Sequence, residues 1–333
     1  KVDTYQVVQE PAYAGSFFWG QKMEAWGNFW QKGHSTTFGE YFADGYTNGY
    51  IADWWKQILS SYAGDKLQIL EIGCGNASLL PATLDLGING NYSGVDAADV
   101  KLSSAVEKRL NEKISVSLTG NTKIEDYQPD DKFNLIASVY GVEYSDLSLS
   151  LPLIKNMLMP DGRVNFLMHH SGSVITQMSQ KALGEFDFEL MKSVINNLEI
   201  INSELNKLHG KLPKLQKSKV AETARENVNT ALGSIMNKPP SSRNPILVDF
   251  SVATLGFFKI IQQSKSDRKD YLDSILPDFY SSKERFSQMV NVARDEQEIK
   301  TFEKNMVDAG FSGVIIEPMD KDEKPVAWKI TAS

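Results

Sequence analysis

A single cysteine, Cys74, stands in a chain of 333 residues. That excludes an internal disulfide framework and a metal site built from several thiolates. Long apolar runs are also missing, and none approaches the roughly 18–20 residues of a membrane-spanning helix. Basic charge is scarce: 35 Lys and Arg face 42 Asp and Glu, for a net charge of -7. A broad nucleic-acid surface needs clustered basic side chains, so none is expected. The opening residues lack the layout of a secretion signal, and a cytoplasmic location is the expectation. What is present is ordinary for a globular protein, with 41% hydrophobic and 23% charged residues. The length suits one large domain, or a core domain carrying an insertion.

Residues 1–50 are rich in aromatics and glycine and read as a cover or lid. Tyr50 to Tyr62 reads as a helix with Trp54, Trp55, Ile58 and Leu59 on its apolar side. From Leu67 to Met168 strand and helix alternate. Strands are expected at 67–72, 91–95, 114–118, 133–139 and 163–168, with helices at 78–86, 100–111 and 151–158. Such alternation implies a doubly wound α/β fold with a mostly parallel sheet. From residue 172 to about 300 strand signal nearly vanishes. Leu190, Val194, Ile201, Leu205 and Leu208 recur at helical spacing there, nearly as a heptad. A helix follows at 301–308, and two strands at 314–318 and 326–331 close the chain as an antiparallel pair. The expected layout is a cover at 1–50, a seven-stranded core at 51–171 and 298–333 with an antiparallel last strand, and a helical insertion at 172–297.

The chemistry is carried by Glu71-Ile72-Gly73-Cys74-Gly75-Asn76-Ala77-Ser78. An apolar strand ends in an acid, then a Gly-x-Gly turn, then a helix-forming segment. Glycines there let a ligand touch backbone. A Gly-x-Gly turn alone is shared by many nucleotide folds. Four further stretches narrow it. Gly94-Val95-Asp96 puts a carboxylate at the end of the second strand, where it can bind two ribose hydroxyls. Gly120-Asn121-Thr122 follows the third strand, where an amide can meet an adenine amino group. Ser138-Val139-Tyr140-Gly141 ends the fourth strand, and Met159-Pro160-Asp161-Gly162 precedes the fifth.

With the late Ala309-Gly310-Phe311, these motifs fall in an order that resembles the class I S-adenosylmethionine-dependent methyltransferases, a Rossmann-like family. The resemblance covers roughly residues 50–170 and 298–331, and neither the aromatic leader nor the helical insertion. Ala77 stands where many members have a third glycine, and Asn121 where aspartate is frequent. The resemblance implies S-adenosylmethionine as cofactor. Gly73, Cys74 and Gly75 would approach its methionine part, with Glu71 near the amino group. Asp96 would take the ribose hydroxyls, Ala97 would lie against the adenine, and Asn121 and Thr122 would flank it. Ser138, Val139 and Tyr140 would line the sulfonium end. Cys74, inside the turn, is expected to be a small packing residue rather than a nucleophile.

Methyl transfer from a sulfonium is an in-line displacement, and a base helps when the acceptor is a hydroxyl. Ligands of doubly wound sheets bind at the carboxyl ends of the strands. Glu143, Tyr144, His169 and His170 lie there and are the candidates, with His34 of the Gly33–Thr37 segment as another. Adjacent His169 and His170 should point to opposite faces. Tyr13, Trp19, Trp30 and Tyr41 are candidates for an aromatic wall around a cationic or apolar acceptor. No Asn/Asp-Pro-Pro-Tyr/Phe motif follows the fourth strand, which argues against methylation of planar nucleobase or amide nitrogens. The leading expectation is therefore methyl transfer to an oxygen or nitrogen of a small-molecule or natural-product acceptor, with no metal. The alternatives are a protein or carrier-bound substrate docked by the insertion, and a non-catalytic cofactor-binding assembly module. A homodimer through residues 186–210 is a further expectation, and a nicotinamide oxidoreductase is a more remote one.

Overall fold

Each of the five stretches expected as strands between residues 67 and 168 forms a strand in the computed structural model, which describes residues 24–37, 45–62 and 66–333. A helix over residues 24–31 (α1) and α2 (Gly49–Ser60) lead into β1 (Lys66–Ile72). There follow α3 (Leu80–Asp85), β2 (Asn89–Val95), α4 (Ser104–Glu107), β3 (Ile114–Thr119), β4 (Phe133–Val139), α5 (Leu147–Met157) and β5 (Leu158–Met168). After the helices α6 (Val174–Leu183), α7 (Phe188–Lys207), α8 (Leu212–Leu215), α9 (Lys219–Met236), α10 (Pro245–Lys259) and α11 (Lys265–Val292) come α12 (Glu296–Asp308), β6 (Ile315–Lys321) and β7 (Lys324–Ala332).

The seven strands form one sheet in the order β3-β2-β1-β4-β5-β7-β6. Pairing is parallel from β3 through β5, and β7 runs antiparallel to both β5 and β6. This is the doubly wound sheet with an antiparallel last strand that the alternation implied. Strand order reverses between β1 and β4, and that switch point opens a crevice at the carboxyl ends of the strands.

Period-two alternation divides the strand side chains between two cores. Leu67, Ile69, Leu135 and Ala137 pack with Trp54, Trp55 and Leu80 of α2 and α3. Leu70, Ile72 and Ile136 pack on the other face with Leu151 and Ile154 of α5 and Phe302 and Met306 of α12.

Two local expectations are corrected. The helix expected at 100–111 shrinks to Ser104–Glu107. Asn76 Oδ1 accepts the Lys101 N–H at 2.9 Å, which draws that stretch out of helical geometry until Ser103 caps a shorter helix. The Pro-Asp-Gly turn does not precede β5 but lies inside it. Pairing jumps from Phe133–Leu158 to Leu135–Arg163, so residues 159–162 are absorbed as a bulge.

The chain divides into two compact units, Lys1–Thr176 with Asn291–Ser333, and Gln177–Val290. The second unit holds only helices and turns among its residues. Val194, Ile201 and Leu205, the near-heptad residues of α7, are buried in that unit's own core with Val228, Leu232 and Phe250. Among the described residues no helix is long and apolar enough to cross a membrane.

Candidate active site

The turn after β1 works because its backbone enters conformations that side chains resist. Gly73 has φ +65 and Gly75 φ +49. Gly73 lies back to back with Gly141, so that a Cβ on Gly73 would sit 2.7 Å from the Gly141 Cα. The N–H groups of Gly73 and Cys74 donate to the Val95 carbonyl at 2.9 and 3.2 Å, which ties the turn to the end of β2. Cys74 packs its buried side chain on Gly94, where an added Cβ would meet Sγ at 2.8 Å. Burial pushes its thiol well above the usual range, in keeping with a packing role.

Asp96, at the carboxyl end of β2, braces the same turn. Its Oδ2 accepts the Gly75 N–H and its Oδ1 the Ala98 N–H, both at 2.8 Å. Burial pushes its carboxyl up to about 6, opposed by those two hydrogen bonds. At neutral pH it is therefore mostly ionised, with lone pairs left for a ligand. Thr122 is held beside it by an N–H bond to the Asp96 carbonyl.

Glu71 sits elsewhere than the motif suggested. It shares its strand face with Leu67 and Ile69, and its carboxyl lies under the turn, buried against the Tyr92 hydroxyl and 3.4 Å from Ser78 Oγ. Burial raises it to about 8, so at pH 7 it is mainly a neutral acid. Asn121 also departs from expectation. It adopts φ +53 at an exposed turn, donates its N–H to the Ala98 carbonyl, and directs its amide to Asp99 at 3.4 Å. Ser138 is fully buried, donating to the Ile72 carbonyl and accepting the Val142 N–H, and so braces the ends of β1 and β4.

The opposite wall is aromatic. Tyr140 has φ +54, a conformation that costs energy outside glycine and marks functional sites. Its hydroxyl meets Tyr50 Oη at 2.9 Å and the Val326 carbonyl at 3.1 Å. Behind it, His169 stacks on the Tyr140 ring at 4.4 Å and bonds the Tyr144 hydroxyl through Nε2 at 3.3 Å. Burial lowers His169 to about 3, which keeps the imidazole neutral. Glu143 Oε1 accepts the His169 backbone N–H at 2.9 Å, while its Oε2 is buried with no partner, and burial pushes that carboxyl up to about 7. His170 points away and stacks on Trp328 at 4.5 Å.

The leader supplies a roof. The Asn76 amide donates to the carbonyls of Trp30 (2.9 Å) and His34 (2.8 Å), and Gln31 reaches Asp99 at 2.7 Å. The His34 ring stacks on Phe29 at 4.2 Å.

These walls enclose a cavity of about 360 Å³. Of the expected residues, Gly73, Cys74, Asp96, Ala97, Thr122, Val139, Tyr140, Tyr144 and Trp30 line it. Glu71, Gly75, Asn121, Ser138, Glu143, His34, His169 and His170 lie outside its lining. Tyr13, Trp19 and Tyr41 lie outside the described residues. Asn76, Tyr46 and Trp26 join the site beyond the residues expected there. For Asn76 a signal existed, a buried-type amide inside the glycine turn. For Trp26 it was the spacing of four from Trp30, which puts both on one helix face. The charged lining is lopsided: Asp96, Glu125, Asp126 and Asp146 against Lys123. Among the described residues no group of three or more His, Cys, Asp or Glu could hold a metal.

No protein-family model matches the chain, and no curated protein matches it. Solved structures do. The CMeT domain of the citrinin polyketide synthase is 12% identical, with 85% of this chain and 50% of that one covered at a TM-score of 0.38. An S-adenosylmethionine-dependent methyltransferase of Clostridium acetobutylicum is 18% identical over 37% of this chain and 52% of its own, at 0.27. The glycopeptide N-methyltransferase MtfA, solved with sinefungin, is 16% identical over 38% and 52%, at 0.28. The chain thus spans about half the length of these structures. Its sheet order, its antiparallel seventh strand and the glycine turn at the switch point make it a Rossmann-like fold, the fold that the resemblance to the class I S-adenosylmethionine-dependent methyltransferases implies.

Proposed function

We propose that the protein transfers a methyl group from S-adenosylmethionine to an oxygen or nitrogen of a small-molecule acceptor. The observation that carries this reading is Asp96. It is braced by the glycine turn and lines a cavity with four carboxylates and one lysine. A dinucleotide brings a diphosphate, which needs open helix amides or basic groups. A nucleoside with a cationic sulfur suits an acidic cavity. The volume of about 360 Å³ falls within the range of small-molecule sites.

When bound, the cofactor supplies an already activated methyl group. This chain's residues would hold and orient it. Asp96 has acceptor capacity for ribose hydroxyls, Ala97 and Thr122 form the neighbouring wall, and Gly73 lets backbone approach without a side chain. Tyr140 and Tyr144 exclude water from the other wall. His169 does not face the cavity. It acts through Tyr144, whose hydroxyl it holds in place as a neutral ring. Tyr144 is thus a fixed part of the wall on that side.

The test is calorimetry with S-adenosylmethionine. Asp96→Ala is expected to weaken binding by about 1–3 kcal/mol, the scale of lost hydrogen bonds to a charged group. Wild-type affinity should fall as pH drops through about 6, where Asp96 takes up a proton, and Asp96→Asn should flatten that dependence. Binding of NAD in place of S-adenosylmethionine would sink the reading. Release of demethylated cofactor with small metabolites, rather than with a protein extract alone, checks the acceptor class.

A further inference from the structure

We infer that the leader helix belongs to the cofactor site, and that Trp30 is the aromatic face its cationic sulfur meets. The inference rests on the methyltransferase reading and adds a discrimination to it: sulfonium substrate over thioether product.

Three observations carry it. First, the Trp30 ring lies directly on the glycine turn. A Cβ on Gly75 would meet its Cζ2, Cη2 and Cε2 atoms at 2.6–2.9 Å, so glycine is required there by the indole as well as by φ. Second, the backbone that carries the indole is fixed. Asn76, one residue past Gly75, holds the Trp30 and His34 carbonyls with one amide group and the Lys101 N–H with its oxygen. Asn76 is 1% exposed and Trp30 6%, so the clamp is shielded from water. Third, Trp26 lies one helical turn earlier, near-parallel to Trp30 at 6.2 Å and 23°, with its ring edge-on to Tyr144 at 6.0 Å. Both indoles line the same cavity as Gly73, Asp96 and Tyr140.

An indole face is the best aromatic partner for a cation, and desolvation strengthens the attraction. A sulfonium carries the charge that such a face selects, and the thioether left after transfer does not. Shape supplies a further discrimination, since the two differ by one methyl group, and comparison of Phe with Leu at position 30 separates it from the aromatic contribution. Trp30 would hold the charged form and favour release of the neutral one. Asn76 acts only through Trp30 and is a positioning residue.

The experiment is calorimetry on the full chain with S-adenosylmethionine and S-adenosylhomocysteine as separate probes. The ratio of their dissociation constants is compared among wild type, Trp30→Phe and Trp30→Leu. In Trp30→Leu the preference for the sulfonium is expected to fall about 5- to 30-fold, the range of a buried cation–aromatic contact. Trp30→Phe should keep most of it. An unchanged ratio in Trp30→Leu, or equal losses in Phe and Leu, overturns the inference while leaving the cofactor assignment intact. Failure of the wild type to bind either probe overturns the methyltransferase reading itself. If Trp30→Leu lacks the wild-type circular dichroism spectrum, Trp26→Leu provides the comparison. Its half-buried ring should give a smaller fall in the ratio, and no fall would count against the inference.

Discussion

Glu71→Gln should make the protein progressively more stable than the wild type as pH rises from 5 to 8. The cause is the burial of a carboxyl beneath the glycine turn, which lifts it from the ordinary 4.5 to about 8. In the unfolded chain Glu71 loses its proton near 4.5, whereas the folded chain keeps it until about 8. Below 4.5 both states hold the proton and the group is neutral in its effect. Between the two values the folded state binds one more proton than the unfolded state. Stability then falls with pH at about 1.4 kcal/mol per pH unit from this group alone. By pH 8 the accumulated loss is about 4 kcal/mol, comparable with the whole stability of many domains. Glutamine keeps the shape, can accept from Tyr92, and has no proton to lose. Urea unfolding at pH 5, 6, 7 and 8 reads the effect. Parallel curves for variant and wild type would show that Glu71 is not held as an acid.

Gly73→Ala should cost about 2–4 kcal/mol of folding free energy and weaken cofactor binding with it. Part is conformational: alanine at φ +65 costs about 1 kcal/mol or more. The larger part is contact. The new Cβ would lie 2.7 Å from the Gly141 Cα, in a crowded seam where a Cβ on Gly141 would likewise meet the Ile72 carbonyl at 2.8 Å, the Gly73 Cα at 2.9 Å and the Ser138 hydroxyl at 3.0 Å. Forced overpacking of this kind costs about 1–3 kcal/mol. Gly87→Ala is the control. It has φ +64, with only the end of the Lys113 side chain, 3.8 Å away, near the added carbon. Gly87→Ala isolates the dihedral cost. If Gly73→Ala is no worse than Gly87→Ala in urea unfolding, the close approach of the two turns is not what requires glycine.

The sheet was legible because its signals are local and redundant. Apolar runs at 67–72 and 133–139 are short and bounded by turn residues, which marks them as buried strands, and Gly73 with Asp96 marks where they face a ligand. Details that depend on side-chain direction were less legible. Glu71 follows Leu67 and Ile69 onto a core face by simple parity, so its distance from the cavity was written in the strand, though proximity to the turn hid it. Asn121 has a residue type suited to adenine and equally suited to a left-handed turn, and the backbone bond to Ala98 decided for the turn. The period of two did separate His169 from His170. It gave no hint that Tyr140, in a strained conformation, would stand between His169 and the cavity. The short α4 and the docking of α1 both trace to Asn76, and three hydrogen bonds from one amide to distant backbone leave no periodic trace in a sequence.

Tyr140 also sets an order of events during synthesis. Its hydroxyl is anchored on the Val326 carbonyl at the start of β7, and β5 finds its second neighbour only in β7. The ribosome must therefore deliver the entire helical unit before the cavity wall can lock. Until then β5 waits as an open edge, ready to pair with whatever strand arrives first.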